Sequence, residues 1–596
     1  MILPYSEYHR KVRGCWLGKS AGGTLGGPYE GQPGPLSLSY YDPIPEKMLP
    51  NDDLDLQVAW LQILRRRGLP VNRRDLADAW LENIHLWPDE YGVACRNLLQ
   101  GIYPPASGAW SNKFTDGMGA AIRTEIWACL APGDPDLAVR LAEEDACVDH
   151  TGDGYHAARF LTALESLAFV ETDRESLLDQ ALAYIPEDCR LSLGLRDTRA
   201  WWAKTGDWTT VRDQILAAHA PQNWTDVVPN IAFTILGWLD GDGDFGRSLC
   251  TAVNCGWDTD CSGATLGSIL GILDPEGIPD RWLQPLGDEL VLSPGMVGMH
   301  HPATLSEFSQ QVEETAVNVQ AFYGSTVRIT GSPWQANTLP RQGSSPARFA
   351  LGSPAAHNES LVALTPLTVT WVYPDTIALQ PNQTHACRLR LGNPCESPIQ
   401  GTLRLAVPDR YAVSPGSLPL GLEPGACAEW EISITTPATD APRSYRNLLD
   451  LQFEVGGLRW GECVGLPATL PWRRTSGNDS ASAESIEALA HFQPIPAGPQ
   501  RLEARIKVPF RGEFMVVTQG TRPAKTYLND ELVNEFAGAY YVPAIHRSRT
   551  ASKVRLDRGW CDVRIDVEDG PAGELFFTLG VPGLFCWVHE LEWSTP

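Results

Sequence analysis

The stretch Val12-Arg-Gly-Cys-Trp-Leu-Gly-Lys-Ser-Ala-Gly-Gly-Thr-Leu-Gly-Gly27 decides the fold class. Gly14, Gly18, Gly22 and Gly26 recur every fourth residue, so a helix carries all four on one face. Each glycine costs a helix ~1 kcal/mol relative to alanine. Four on one face therefore point to close packing against another helix or a ligand. Helical patterning continues to about residue 325, which predicts an all-α N-terminal half. Pro28-Tyr29-Glu30-Gly31 ends the glycine helix and leaves Glu30 at its C-terminal mouth. A carboxylate there opposes the helix dipole. Glu30 is thus either an exposed turn residue or is held for some purpose other than helix stability.

A second small-residue segment is Asn254-Cys-Gly-Trp-Asp258-Thr-Asp260-Cys-Ser-Gly-Ala-Thr-Leu-Gly-Ser268. A D-x-D pair in a loop that runs into a small-residue helix can place two hard oxygen ligands together, as a Mg²⁺ or Mn²⁺ site requires. Alone it reads first as a solvated cap or turn, because D-x-D turns are common. A second acidic cluster, Asn51-Asp52-Asp53, opens a helix some two hundred residues earlier. Asn51 or Asp52 is a good N-cap, and acids in a first turn complement the dipole. The same two aspartates could also deliver oxygens to an ion.

Between these segments the pattern predicts one helix over 75–100, a loop over 101–118 and a helix over 136–146. The turn Asp116-Gly117-Met118-Gly119, opening into a helix, offers N–H groups to an anion or a sugar. Asp149-His150-Thr151-Gly152-Asp153-Gly154-Tyr155 repeats the polar-loop-then-small-residue grammar of the D-x-D segment.

Composition narrows the function classes. A chain of 596 residues is expected to form three or four domains. A net charge of −25 excludes the basic footprint of a nucleic-acid or anionic-membrane binder. The 14 cysteines contain no C-x-x-C pair, hence neither a zinc framework nor a compact disulfide scaffold. With no signal-peptide layout at the start and no apolar run of membrane-spanning length, a soluble cytoplasmic setting is the expectation.

Beyond residue 325 short alternating segments replace the helices. Leu367–Val372, Ala386–Leu391, Gly401–Val407, Ala428–Thr435 and Asn447–Val455 predict a β-sandwich. A second run from Gln500 to Trp593 predicts a jelly-roll-like β domain of the kind appended to carbohydrate-active enzymes. The expected organisation is a helical domain over 1–325, a linker over 326–360, a sandwich over 361–472, a linker over 473–485 and a β domain over 486–596. Trp371, Tyr373, Tyr540, Tyr541 and Trp560 read as strand or core residues before they read as sugar platforms.

Five stretches in this order, 14–30, 51–53, 116–123, 150–155 and 254–267, resemble the ADP-ribosylglycohydrolase family, the dinitrogenase-reductase-activating glycohydrolase type. The resemblance covers about residues 8–325. It implies an all-α fold with two Mg²⁺ ions, or Mn²⁺, in a central cleft, and hydrolysis of a glycosidic bond at the anomeric carbon of a ribose. Asn51, Asp52, Asp53, Asp258, Asp260 and Cys261 fall at the metal-ligand positions. Glu30, Asp53 and Asp258 fall at the catalytic ones. Gly117, Met118, Gly119, His150, Thr151, Gly152 and Tyr155 fall where the family meets the substrate's sugar and phosphates. Asn51 and Cys261 each stand where the family usually has Thr, and so does Leu54. Thiol sulfur is a poor ligand for hard Mg²⁺, so the second ion is expected to be weakened, completed by water, or held by Thr259 or Ser262. These departures leave three readings open. They are ADP-ribosyl removal, hydrolysis of another furanoside or glycan with the β modules binding carbohydrate, and an inactive binding relative. The substrate is expected to be a small molecule or glycoside, and a homo-oligomer is an alternative to a monomer.

Overall fold

The computed structural model describes every residue except 222, 337–355, 365, 439–442, 445, 477–483, 486–491, 539–550, 584–585 and 589–590. The chain divides into two compact units. One comprises Met1–His85 and Phe114–Pro354, the other Leu86–Lys113 and Ala355–Pro596. The first is helical and the second is built mainly of antiparallel sheets, so the chain is multidomain, all-α followed by all-β.

Five helices of the first unit carry the argument: α1 (Tyr5–Gly26), α2 (Asp52–Arg67), α3 (Gly152–Leu167), α4 (Val227–Gly241) and α5 (Thr259–Leu273). The glycine face of α1 meets the small-residue face of α5 in an antiparallel seam. A Cβ placed on Gly14, Gly18, Gly22 or Gly26 would lie 2.1, 2.0, 1.9 or 2.2 Å from the carbonyl oxygen of Gly271, Gly267, Gly263 or Thr259. No side chain fits, so backbone lies on backbone over four turns. The glycines expected to receive a helix or a ligand receive a helix. Around the seam lies an apolar core drawn from α3, α4 and α5, including Phe160, Leu164, Ile231, Ile235, Leu266 and Ile269. Strand Ile2–Pro4 pairs in parallel with Arg328–Thr330 and ties the first residues to the end of the unit.

The single helix expected over 75–100 is two, Arg73–Asn83 and Asp89–Leu99. Pro88 separates them: it lacks an N–H and disfavours helical backbone at the residue before it. The second of these helices belongs to the other unit. There Tyr103 N–H donates to Ser360 Oγ at 3.0 Å, Leu361 N–H to the Pro104 carbonyl at 3.0 Å and Gly465 N–H to the Gly101 carbonyl at 2.7 Å.

The second unit holds two pairs of sheets. The first pair is five-stranded and four-stranded and spans Glu359–Leu364 to Leu458–Gly465. The second is eight-stranded and five-stranded. Its strands Gln500–Val508, Gly512–Gly520, Gly559–Val567 and Gly573–Val581 pack around Leu502, Ile506, Phe514, Ile565, Phe577 and Trp593. Trp371 and Tyr373 are core residues, whereas Trp560 is 37% exposed beneath the Arg505 guanidinium. Tyr540 and Tyr541 lie outside the described residues. Cysteines from Cys15 to Cys561 are free thiols, and no helix among the described residues is long and apolar enough to cross a membrane.

Candidate metal centre

The seam sets the site. Its last step, Gly26 against Thr259, brings the end of α1 to the start of α5, and Thr259 Oγ1 donates to the Gly26 carbonyl at 2.8 Å. Asp258 is the N-cap residue of α5, and Asp260 lies in its first turn rather than in a loop. Two further contacts fix the Asp258 loop. Gly31 N–H donates to the Trp257 carbonyl at 2.8 Å, and Trp257 N–H to the Gln32 carbonyl at 2.6 Å. This short bridge holds Glu30 beside the D-x-D turn. From α4, Asn230 Oδ1 accepts the Asp258 N–H at 3.1 Å, while Asn230 Nδ2 donates to the carbonyls of Trp224 and Asp226. The sequence marked Asn230 only as part of an apolar helix; an amide among apolar neighbours was its sole signal.

Two overlapping ligand sets result. Asp53, Asp260 and Cys261 each place a ligand atom within 4.8 Å of the others, as do Glu30, Asp258 and Asp260. Asp260 belongs to both. Asp53 is 1% exposed and neither of its carboxylate oxygens has a hydrogen-bond partner; Asp260 Oδ1 is likewise buried without one. Buried carboxylate oxygens left without donors cost several kcal/mol, and a bound divalent cation would supply what they lack. Burial, then the neighbouring carboxylates Glu30, Asp258 and Asp53, push the Asp260 carboxyl well above the usual carboxylate range. Burial likewise raises Asp53, against the pull of Lys19. The oxygen donors fit a hard divalent ion, and the thiol does not.

Asn51 caps α2, its Oδ1 accepting the Asp53 N–H at 2.7 Å, which orients the acidic first turn. Asp52 is half-buried in that turn. The hydroxyls of Thr259 and Ser262 are turned onto the carbonyls of Gly26 and Thr259, away from a ligand role.

Behind Asp53 lies a cation the sequence did not single out. Lys19, on α1, is 1% exposed. Its Nζ is 2.7 Å from Glu125 Oε1, 2.9 Å from the Ile122 carbonyl and 3.7 Å from Asp53 Oδ1. Glu125 also accepts from Gln57 and from Ser268 Oγ at 2.9 Å. Burial alone would lower the Lys19 ammonium, but Glu125 and Asp53 outweigh it and keep it charged. A lysine inside a face of glycines was the available signal.

The residues matched to substrate contacts divide. Gly152 is exposed and Thr151 half-buried at the start of α3. Met118 is core, and Gly117 spends its N–H on the Phe114 carbonyl at 2.9 Å. The turn leads to a single 3₁₀ turn, Ala121–Arg123, rather than directly to a longer helix. Tyr155 is 9% exposed in an apolar cluster. His150 is fully buried, with Nδ1 2.8 Å from Asp149. Arg123, also fully buried, grips Asp149 with two bonds of 2.9 and 2.7 Å, reaches Asp145, and donates to the Gly119 carbonyl at 2.7 Å. Burial would raise the Asp149 carboxyl, but Arg123 and His150 hold it down to about 2. This is a scaffold under the Gly119 turn. Lysine cannot reproduce the fork, so Arg123→Lys is expected to cost about 3 kcal/mol, measured as a fall in the urea midpoint at unchanged slope.

The helical domain thus carries two ligand sets, each with at least two carboxylates, that share one buried aspartate. The model of the ADP-ribosylglycohydrolase family matches residues 4–315, and the chain belongs to that family. Membership places it among glycosyl hydrolases in the broad sense. An uncharacterized protein of Archaeoglobus fulgidus is 26% identical over 307 residues, covering 47% of this chain and 92% of that protein. A solved structure titled an ADP-ribosylglycohydrolase-related protein complex is 21% identical, covers 52% of this chain and 99% of its own, and has a TM-score of 0.37. An anti-sigma factor domain-containing protein from Clostridium clariflavum is 11% identical, covers 34% of this chain and 81% of its own, and has a TM-score of 0.16.

Proposed function

We propose that the helical unit hydrolyses a glycosidic bond at the anomeric carbon of a ribosyl or other furanosyl substrate, with divalent metal, Mg²⁺ or Mn²⁺, held by Asp52, Asp53, Asp258 and Asp260. The observation that carries this is the pair of ligand sets sharing Asp260, with both Asp53 oxygens and Asp260 Oδ1 buried and without hydrogen-bond donors. A bound divalent ion supplies Lewis-acid and positioning chemistry for the sugar's hydroxyls and the attacking water.

The protein's own groups do the rest. Glu30 is the exposed member of the set, on the solvent side, so substrate and water meet it first. Its loop is locked to the Asp258 loop by the Trp257 bridge, which keeps the carboxylate aimed without relying on helix geometry. Glu30 takes the proton from the attacking water, and the carboxylates around it favour the positive charge that develops on the sugar ring. Asp258, anchored by Asn230, holds the opposite edge of that set.

Glu30→Gln is expected to lower kcat by about 10²–10³-fold and to weaken Mg²⁺-dependent thermal stabilisation without abolishing it, because the amide keeps one oxygen in the outer set. Sugar release from ADP-ribosylated protein and from aryl furanosides, with and without chelator, is the assay. Equal rates for Glu30→Gln and the parent would reject the role.

One observation favours a substrate without phosphates. Arg190 is surrounded by Asp116 at 3.2 Å, Asp226 at 3.1 Å and Asp153 at 3.9 Å, so the cation beside the Gly117 turn is outnumbered by acids. An arginine so engaged is not free to grip a diphosphate, which a neutral glycoside does not need. Turnover of aryl furanosides with none of ADP-ribosylated protein supports this second reading; the reverse pattern removes it.

A further inference from the structure

The two ligand sets differ in chemistry. Glu30, Asp258 and Asp260 offer oxygen alone, whereas Asp53, Asp260 and Cys261 offer two carboxylates and a sulfur. We propose that the inner position, bounded by Asp53, Asp260 and Cys261, takes a thiophilic divalent cation of the Zn²⁺ or Co²⁺ class in preference to Mg²⁺, so that the centre holds two unlike ions. This rests on the reading of the cluster as a metal centre.

Three observations support it. Both Asp53 oxygens and Asp260 Oδ1 are buried without hydrogen-bond partners, the Lys19 ammonium standing off at 3.7 Å from Asp53, so the inner set is aimed at something nearer. The three ligand atoms lie within 4.8 Å of one another, close to what one ion with bonds of about 2.0–2.3 Å can span. The hydroxyls flanking Cys261 in sequence, Thr259 and Ser262, donate to backbone carbonyls, so the side chain left facing Asp53 is the thiol. Mg²⁺ demands octahedral oxygen and sheds water reluctantly, which an enclosed set with sulfur does not serve. Zn²⁺ accepts four ligands of mixed oxygen and sulfur. On binding, the Cys261 S–H bond breaks, a sulfur–metal bond forms and the proton leaves to solvent.

The test is to titrate the metal-free full-length chain with Co²⁺ while recording near-ultraviolet absorption. Zn²⁺ and Mg²⁺ affinities are measured by calorimetry on the parent and on Cys261→Ser and Cys261→Thr. The expected result is a thiolate-to-Co²⁺ charge-transfer band in the parent and none in either variant. Zn²⁺ affinity should fall at least about tenfold in both, and Mg²⁺ affinity should rise in Cys261→Thr. Co²⁺ binding with no such band, or a Zn²⁺-to-Mg²⁺ preference unchanged in both variants, overturns the inference and leaves the metal centre standing. Failure of the folded parent to bind any of the three ions overturns both.

Discussion

Asp260→Asn is expected to abolish turnover, by about 10³-fold or more, and at the same time to make the metal-free chain harder to unfold. The two effects have one cause. Asp260 is the carboxylate common to both ligand sets, so its loss dismantles both positions. Without metal, however, it is a buried acid crowded by Glu30, Asp258, Asp53 and Asp52. Its folded-state carboxyl is raised far above the unfolded value near 3.8. A group shifted this way stabilises the fold fully only below its unfolded value, and that contribution is lost as pH rises toward the folded one. The metal-free parent therefore loses stability as pH climbs from the acid range, and Asp260→Asn flattens that slope. Asp53, raised for the same reason, leaves a remainder. Urea midpoints at several pH values, with chelator and then with saturating Mg²⁺, separate the effects: metal raises the parent's midpoint and leaves the variant's unmoved. A variant less stable than the metal-free parent at neutral pH would refute the account.

Gly22→Ala is expected to destabilise the helical unit by about 3 kcal/mol or more, through a single methyl group. Alanine favours the helix by ~1 kcal/mol over glycine, so propensity alone predicts a gain. Packing reverses the sign. The new Cβ would sit 1.9 Å from the Gly263 carbonyl oxygen and 2.3 Å from its carbon, both backbone atoms that no rotamer change can move. The two helices must separate, and the seam that separates ends at Gly26 and Thr259, beside Asp260. Metal affinity should fall with stability. Gly421→Ala, in a strand where nothing lies within 4 Å of the new Cβ, is the control and should change stability by under ~0.5 kcal/mol. Chemical denaturation followed by tryptophan fluorescence measures both; a Gly22→Ala chain as stable as the parent would refute the seam.

The seam was legible because close approach leaves a spacing in sequence: glycine every four residues has few causes. The D-x-D and N-D-D segments were legible as acids at helix starts, and only order along the chain joined them. What brings them together, the Gly31–Trp257–Gln32 bridge and the Asn230 amide, uses backbone groups and one polar residue with no pattern. Lys19 was hidden because a buried lysine depends on partners, Glu125 and Asp53, far away in sequence. His150 carried a functional residue type into a buried pair with Asp149, a placement that residue type alone cannot reveal. Among strands, Leu367–Val372 and Gln500–Val508 alternate cleanly. Ser417–Leu422 was missed because its exposed positions hold Pro419 and Gly421, which read as turn. Leu458–Gly465 was missed because two glycines break its alternation at the edge of a sheet.

The segment 86–113 has a consequence for how the chain comes into being. Its Tyr103 waits for Ser360, a residue 257 positions later. At about 5–20 residues per second of synthesis, that is roughly a quarter of a minute to most of one. Throughout that interval the residues that Tyr103 and Pro104 bond to, Ser360 and Leu361, are not yet made. The first unit meanwhile must close around a gap in its own sequence. The last half of the chain thus completes a piece of the first half, and segment 86–113 stays unfinished until Ser360 has been added.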